Sequence, residues 1–477
     1  MKISKILLSL IAAAVLVPNT GAAASSFSRR INEQDTIGTA ALTRNGIMGR
    51  EAIEREFGVK DAIVKYDTRA EMMADISKTG GEYCDYPFDN PKMTPAPAGY
   101  KPFYISHIGR HGARYAISDD IYEKIHNVLA EAHETGKLNA AGEDLRDRFE
   151  RLYPIAAHRG GDLTKKGQAQ LHEIAAVMYR NFPEVFKGKT HAEVLSTPIP
   201  RVMLSMVAFL DELKDRDKDF SFEVDASRAF YPIMEPNKTI SPIKVKVPLS
   251  PESVESAKEF EKGKIDAKGF CSRYFNDLEY LESAYGLWKF ESDLRNVVCA
   301  MTGLDDVDKN LFAGIFTDEE LFNIWDVRNY NGYIYMGRTP LSDDMNSNNN
   351  SNILKYMILQ ADKDIASGKV QLSLRFSHDT AILPMISFIK LDNFGAVVND
   401  PEEVKNYWRS DLLTMASNVQ LIFFRSKKNP EILVKVLYNG HEASLPLPEV
   451  KKSFYAWSAF RAHYLTRIEK SLPEALK

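Results

Sequence analysis

Phe103-Tyr-Ile-Ser-His-Ile-Gly-Arg-His-Gly-Ala-Arg114 decides how the rest of the chain is read. Its first half, Phe103 to Ile108, is short and rich in β-formers, and it stops at Gly109 before a charged stretch. A strand that runs straight into a polar loop sets its functional groups at the carboxyl end of a sheet, where open α/β sheets bind ligands. The loop itself brackets His111 with two guanidinium groups, Arg110 and Arg114, within five residues. A guanidinium is a planar fork of donors that matches phosphate oxygens and keeps its charge at any working pH. Each such contact is worth roughly 4 kcal/mol of attraction at 4 Å and an effective dielectric near 20. The same two cations disfavour an imidazolium, which leaves His111 with a free lone pair. Gly112 removes a side chain where the backbone must turn and approach its surroundings. Taken alone, the stretch also reads as a solvated loop with an incidental histidine, so the remainder of the chain has to arbitrate.

Outward from it, strand-like and helix-like stretches alternate, which predicts an α/β fold. Thr164 to Phe182 is a predicted helix with Thr164 as N-cap and Leu171, Ile174, Ala175, Met178 and Phe182 at helical spacing. Val194–Thr197 and Phe220–Val224 are predicted strands, with a helix from Arg201 to Leu213 between them. From 231 to 345 the pattern turns helical, Tyr274–Leu304 and Asp318–Trp325 being the clearest segments. We read this as an inserted α-helical lobe, joined by some of residues 131–160, in a core made of 25–230 and 346–477. The run Asn346-Ser-Asn-Asn-Asn-Ser-Asn352 marks its end as a loop. After it, Leu354, Met357, Ile358, Ala361 and Ile365 form a helical face closed by Gly368. Val370 to Phe376 is a strand that delivers Ser377-His378-Asp379-Thr380, and Val419–Phe424 with Ile432–Tyr438 forms an antiparallel hairpin. Phosphoryl transfer from an ester needs a proton for the leaving oxygen, and Asp379 with His378 follows a second strand that can end at the same sheet edge as His111, although taken alone such a pair is more commonly a satisfied surface pair.

Composition bounds the rest. With 477 residues, 44% apolar and 26% charged, the chain is an ordinary globular protein large enough for two or three domain-sized units. A formal net charge of −4 and the lack of any long Lys/Arg run argue against a nucleic-acid partner. Residues 1–24 carry Lys2 and Lys5, an apolar run from Ile6 to Val17 and the small residues Gly21-Ala-Ala-Ala24, the order of a secretory signal peptide. A retained anchor is the alternative, although the run is short for a membrane span. Removal of this segment leaves a net charge of −6 and an exported chain, periplasmic or secreted, with no membrane span. Three cysteines are too few for a disulfide scaffold; Cys271–Cys299 is the one pairing expected, and Cys84 is the odd residue.

His107 and His111 would share a metal on a helix, but on a strand that spacing holds them about 13 Å apart, so His107 reads as structural. His158, Lys165 and Lys166 are candidates for the rim of a polyanion pocket, with solvated surface the favoured reading of each. Trp288 and Trp325 read as core.

As a set, these motifs resemble the histidine phosphatases of the acid phosphatase and phytase branch. The resemblance rests on Arg110-His-Gly-Ala-Arg114, Gly161-Asp-Leu-Thr-Lys-Lys-Gly167, Ser196-Thr197 with Arg201 and Ser205, and His378-Asp379, and covers roughly residues 100 to 440. It implies a phosphoglycerate-mutase-like fold, with a mixed, mostly parallel sheet flanked by helices. It further implies His111 as nucleophile through a phosphohistidine, Arg110, Arg114, Arg201 and His378 as phosphate ligands, and Asp379 as proton donor, with no metal and no cofactor. Departures are Ala116 where the family often has Pro, Val202 where it has Thr, and Met206 where it has Ala. The context Phe376 to Pro384 is similar to the inositol polyphosphate phosphatases around their H-A-E, yet the donor is Asp379 and Thr380 stands at the Glu position. Inositol polyphosphates such as phytate are therefore the expected substrates. A broad acid or sugar phosphatase, a phosphotransferase or mutase, and a non-catalytic phosphate binder are the alternatives.

Overall fold

The computed structural model describes residues 63–235, 249–342, 347–348 and 350–471; residues 1–24, read above as a signal peptide, lie outside them. A nine-stranded mixed sheet forms the centre. Its middle strand, β1 (Tyr100–Arg110), pairs in parallel with β4 (Leu372–Ser377), which pairs in parallel with β2 (His191–Ser196), and β2 with β3 (Ser221–Asp225). On its other side β1 runs antiparallel to β5 (Asn418–Ser426), which forms the expected hairpin with β6 (Leu433–Tyr438). Short strands β7 (His441–Glu442), β8 (Glu449–Lys451) and β9 (Phe454–Ala456) extend the antiparallel half.

Both faces of the sheet are covered, which is why β4 is buried along its whole length. The pleat sends Tyr104 and Ile108 of β1 to one face and Ile105 to the other. The first face packs against helices Ser351–Ser367, Asp379–Phe388 and Trp457–Ser471, and the second against Lys165–Asn181 and Pro200–Arg216. A further apolar cluster joins helices Asp119–Glu134 and Ala140–Ala156 to Ala267–Ser272, Leu278–Ala284 and Leu287–Ala300. The long helix Asp318–Met336 spans three clusters, with Ile324 in this one, Val327, Tyr330 and Tyr333 in the first, and Phe322 and Trp325 in a small one with Met72.

Local expectations are met at several ends. Thr164 caps Lys165–Asn181 by accepting from the Gly167 amide at 3.0 Å, and Gly368 closes Ser351–Ser367 in the left-handed region at φ 64°. Others need correction. Tyr274–Leu304 is not continuous: Gly286, at φ +90°, separates two helices where a residue with a side chain would be strained. The Asn346–Asn352 run is not all loop. Ser351 and Asn352 open a helix and are buried, the Asn352 amide donating to the Pro232 carbonyl, so burial with a partner outweighs local polarity. Cys84, Cys271 and Cys299 are all free thiols. The expected Cys271–Cys299 bridge is absent because the Cys271 thiol faces the Leu287 carbonyl, whereas Cys299 lies in the electrostatic surroundings of Arg295 and Glu82. Trp325 is core, as expected.

Candidate active site

The ends of three neighbouring parallel strands assemble the site. In the ladders Arg110 stands beside Ser377, and Ser196 beside Phe376. The residues that follow each strand end are therefore neighbours: His111, then Thr197 with Arg201, then His378 and Asp379. Backbone bonds lock the exits, from the His111 amide to the Ser377 carbonyl at 3.2 Å and from the Thr197 amide to the Phe376 carbonyl at 3.2 Å.

The loop after β1 is held from below by the two other motifs. Gly112 donates its amide to Ser205 Oγ at 3.1 Å, and Ser205 donates in turn to the Arg201 carbonyl at 2.7 Å. Ala113 donates to Gln170 Oε1 at 2.9 Å, while Thr164 donates its hydroxyl to the Ala113 carbonyl at 3.0 Å. Thus Ser205 and Thr164 serve the backbone of the loop.

His111 is 1% exposed, and its Nδ1 lies 2.9 Å from the Gly112 carbonyl. That oxygen can only accept, so Nδ1 carries the proton and Nε2 keeps its lone pair. Burial, then Arg110, Arg201, Arg114 and His378, holds the ring neutral, far below the usual histidine range. The His378 ring sits edge-on at 5.7 Å, with its Nε2 3.1 Å from Thr197 Oγ1.

The three arginines differ in their freedom. Arg110 is fully buried: one terminal nitrogen donates to the carbonyls of Glu82 (2.7 Å), Leu413 (3.2 Å) and Thr414 (3.1 Å), and the other to Asp379 Oδ2 (2.6 Å). Arg114 donates to Tyr83 Oη at 3.2 Å and to the Tyr115 carbonyl at 2.9 Å, and its guanidinium lies over the Tyr83 ring. Arg201, in the first turn of Pro200–Arg216, makes no side-chain hydrogen bond among the described residues. Burial and the positive charge of Arg114 bring it down to about 10, still a cation at neutral pH. Burial opposes ionisation of Asp379, yet Arg110, with Arg114 close by, holds its carboxyl well below the usual carboxylate range. Its Oδ1 accepts from the Thr380 amide at 2.8 Å.

All six expected site residues therefore converge. Of the outer candidates, His158 is exposed with φ at 61°, while Lys165 pairs with Asp306 and Lys166 with Asp85. His107 is buried with both ring nitrogens unbonded, and burial followed by Arg375 lowers it to about 3. Tyr83, the Glu82 carbonyl and the buried Glu235, which accepts from the Thr380 hydroxyl at 2.7 Å, were not anticipated. They reach the site from segments without a motif, and nothing in their local sequence signals it.

The arrangement pairs a neutral, buried imidazole with three cations and one carboxyl group, which suits nucleophilic attack on an anionic phosphorus centre. The family pattern described as histidine phosphatase superfamily (branch 2) matches residues 105–439. By fold the chain is similar to the multiple inositol polyphosphate phosphatase of Bifidobacterium longum in its complex with inositol hexasulfate. That likeness has a TM-score of 0.64 at 16% identity, over 83% of this chain and 100% of that one. The phytase from D. castellii gives a TM-score of 0.61 at 15% identity, over 83% and 86% of the two chains. For the Hafnia alvei phytase the values are 0.51 at 12% identity, over 80% and 100%. Among curated proteins no sequence match is found. With the site's geometry in place and the pattern spanning most of its length, the chain belongs to the histidine phosphatase superfamily, branch 2, and is a phosphomonoester hydrolase.

Proposed function

We propose that the chain hydrolyses phosphate monoesters through a phosphohistidine on His111, with inositol polyphosphates as its substrates outside the cytoplasm. The observation that carries the reading is the convergence of His111 with Arg110, Arg114, Arg201, His378 and Asp379 at three adjacent strand ends. In the first step His111 Nε2 forms a bond to phosphorus as the ester P–O bond breaks, and Asp379 gives its proton to the leaving oxygen. In the second, water attacks the phosphohistidine and Asp379 takes the water's proton. Arg110, Arg114, Arg201 and His378 hold the phosphoryl oxygens as charge develops.

The Arg110–Asp379 bond explains how one carboxyl group serves in both directions. Without phosphate, Arg110 keeps Asp379 ionised. A phosphate dianion competes for Arg110 and adds negative charge beside Asp379, and both effects favour its protonated form. Inositol polyphosphates are supported by the sequence around Phe376–Pro384 and by the likeness to a protein solved with inositol hexasulfate. Export is supported by Lys2, Lys5 and the Ile6–Val17 run, and no described helix is long and apolar enough to cross a membrane.

The test is phosphate release from p-nitrophenyl phosphate and from phytate by protein recovered outside the cytoplasm, whose mass reports whether residues 1–24 are gone. His111→Ala is expected to abolish turnover and acid-labile phosphate labelling. Asp379→Asn is expected to cut kcat by about 10²- to 10⁴-fold, and less for p-nitrophenyl phosphate, whose leaving group needs little protonation. Full activity of His111→Ala would overturn the mechanism, and no release from phytate the substrate.

A further inference from the structure

Glu235 is a carboxyl group only 1% exposed, at the end of the short helix Tyr231–Met234. Burying a carboxylate is costly unless its charge is used or matched. Its segment is tied to the site by three bonds: Thr380 Oγ1 donates to Glu235 Oε1 at 2.7 Å, Ser377 Oγ donates to the Met234 carbonyl at 2.8 Å, and Asn352 donates to the Pro232 carbonyl. Thr380 is the hinge of the arrangement. Its hydroxyl is held by Glu235 while its amide holds Asp379 Oδ1 at 2.8 Å, so two carboxyl groups flank one residue.

Facing Asp379 are Arg110 at the end of β1, His111 and Arg114 in the following loop, and His378 beside it. Among the described residues, Arg201 of Pro200–Arg216 and Tyr231 of its own helix sense the charge of Glu235, and Tyr231 also senses Arg228. Arg201 feels both carboxyl groups and two arginines. A single carboxylate would leave this cradle strongly positive.

We infer that Glu235 is a positioning residue for the reaction: through Thr380 it orients Asp379, and through Arg201 it tempers the charge of the phosphate cradle so that product phosphate leaves. The orienting half rests on Asp379 being the proton donor, whereas the phosphate half stands without it. A negative charge at Glu235 also favours the protonated form of Asp379.

Glu235→Gln keeps an acceptor for the Thr380 hydroxyl and removes the charge. Inorganic phosphate is expected to inhibit this variant several-fold more tightly than wild type. The high-pH limb of kcat is expected to move down by about one pH unit. A merely structural Glu235 predicts neither change, and curves that overlay wild type in both measurements overturn the inference. Thr380→Val cuts the link and leaves the charge; kcat is expected to fall with phosphate inhibition unchanged, and an unaltered kcat overturns the orienting role even if Glu235→Gln does not fold. Wild-type kcat in Asp379→Asn would refute the donor assignment alone, since the phosphate-inhibition comparison remains a test of Glu235.

Discussion

Gly112 cannot carry a side chain, and the reason lies outside its own loop. A Cβ there would stand 2.3 Å from the Gly167 carbonyl oxygen and 2.7 Å from its carbonyl carbon, backbone atoms fixed in the first turn of a helix. The two glycines of separate motifs are therefore one close approach of backbone on backbone. Gly112→Ala is expected to lower stability by about 1–3 kcal/mol and to remove activity with it, because the Gly112 carbonyl holds the His111 proton. Thermal unfolding beside Gly263→Ala, where an added methyl meets only ordinary contacts, checks this; the control should change by under about 0.5 kcal/mol.

At the scale of the element, β1 carries a titrating group that the chemistry does not use. His107 sits between the rings of Phe209 and Phe376, fully buried. Its folded pKa, about 3, lies below the ordinary 6.5. The unfolded chain then binds a proton that the folded chain refuses, so this contribution is intact above pH 6.5 and is lost as pH falls towards 3. A tenfold difference in proton affinity between the two states is worth about 1.4 kcal/mol. Asp364, which burial raises to about 6, acts in the opposite sense, its folded form weakening as pH rises between 3.8 and 6. The test is thus a difference. His107→Leu is expected to lose less stability than wild type between pH 6.5 and 4 in denaturant titrations, and equal losses would remove His107 from the account.

Much of this scale was legible beforehand. Short β-rich or alternating runs located β1 to β6, and Thr164, Gly368 and the motif at Arg110–Arg114 marked the ends that matter. What escaped the sequence depended on partners far along the chain. Glu235 meets Thr380 across 145 residues, and Asn352 meets Pro232 across 120, which turned an apparent loop into the start of a helix.

At the scale of the whole molecule, the arginine cluster around His111 is joined to the helices beyond it through Glu82. Its carboxylate accepts from Arg328 at 2.7 Å on Asp318–Met336, and Arg295 of Leu287–Ala300 adds a second cation. Burial works against the charge, but these two cations hold it at about 2, so its contribution is present above pH 4.5 and fades as pH falls towards 2. Glu82→Gln leaves both guanidinium groups without this carboxylate. A loss of about 1–3 kcal/mol at neutral pH is expected, with lower kcat, since the Glu82 carbonyl also holds Arg110. Chemical denaturation and p-nitrophenyl phosphate turnover measure the two effects together.

The three carbonyls that grip Arg110 come from Glu82, Leu413 and Thr414, one ahead of β1 and two just before β5. Reading order along the chain thus gives way to closure in space: the guanidinium beside His111 is not aimed until a stretch more than 300 residues downstream has docked. During synthesis this makes competence for catalysis a late event. A nascent chain that has already built β1, β2 and β4 still lacks two of the acceptors that aim Arg110, so the guanidinium beside His111 is fixed in place only as the last sheet strands arrive.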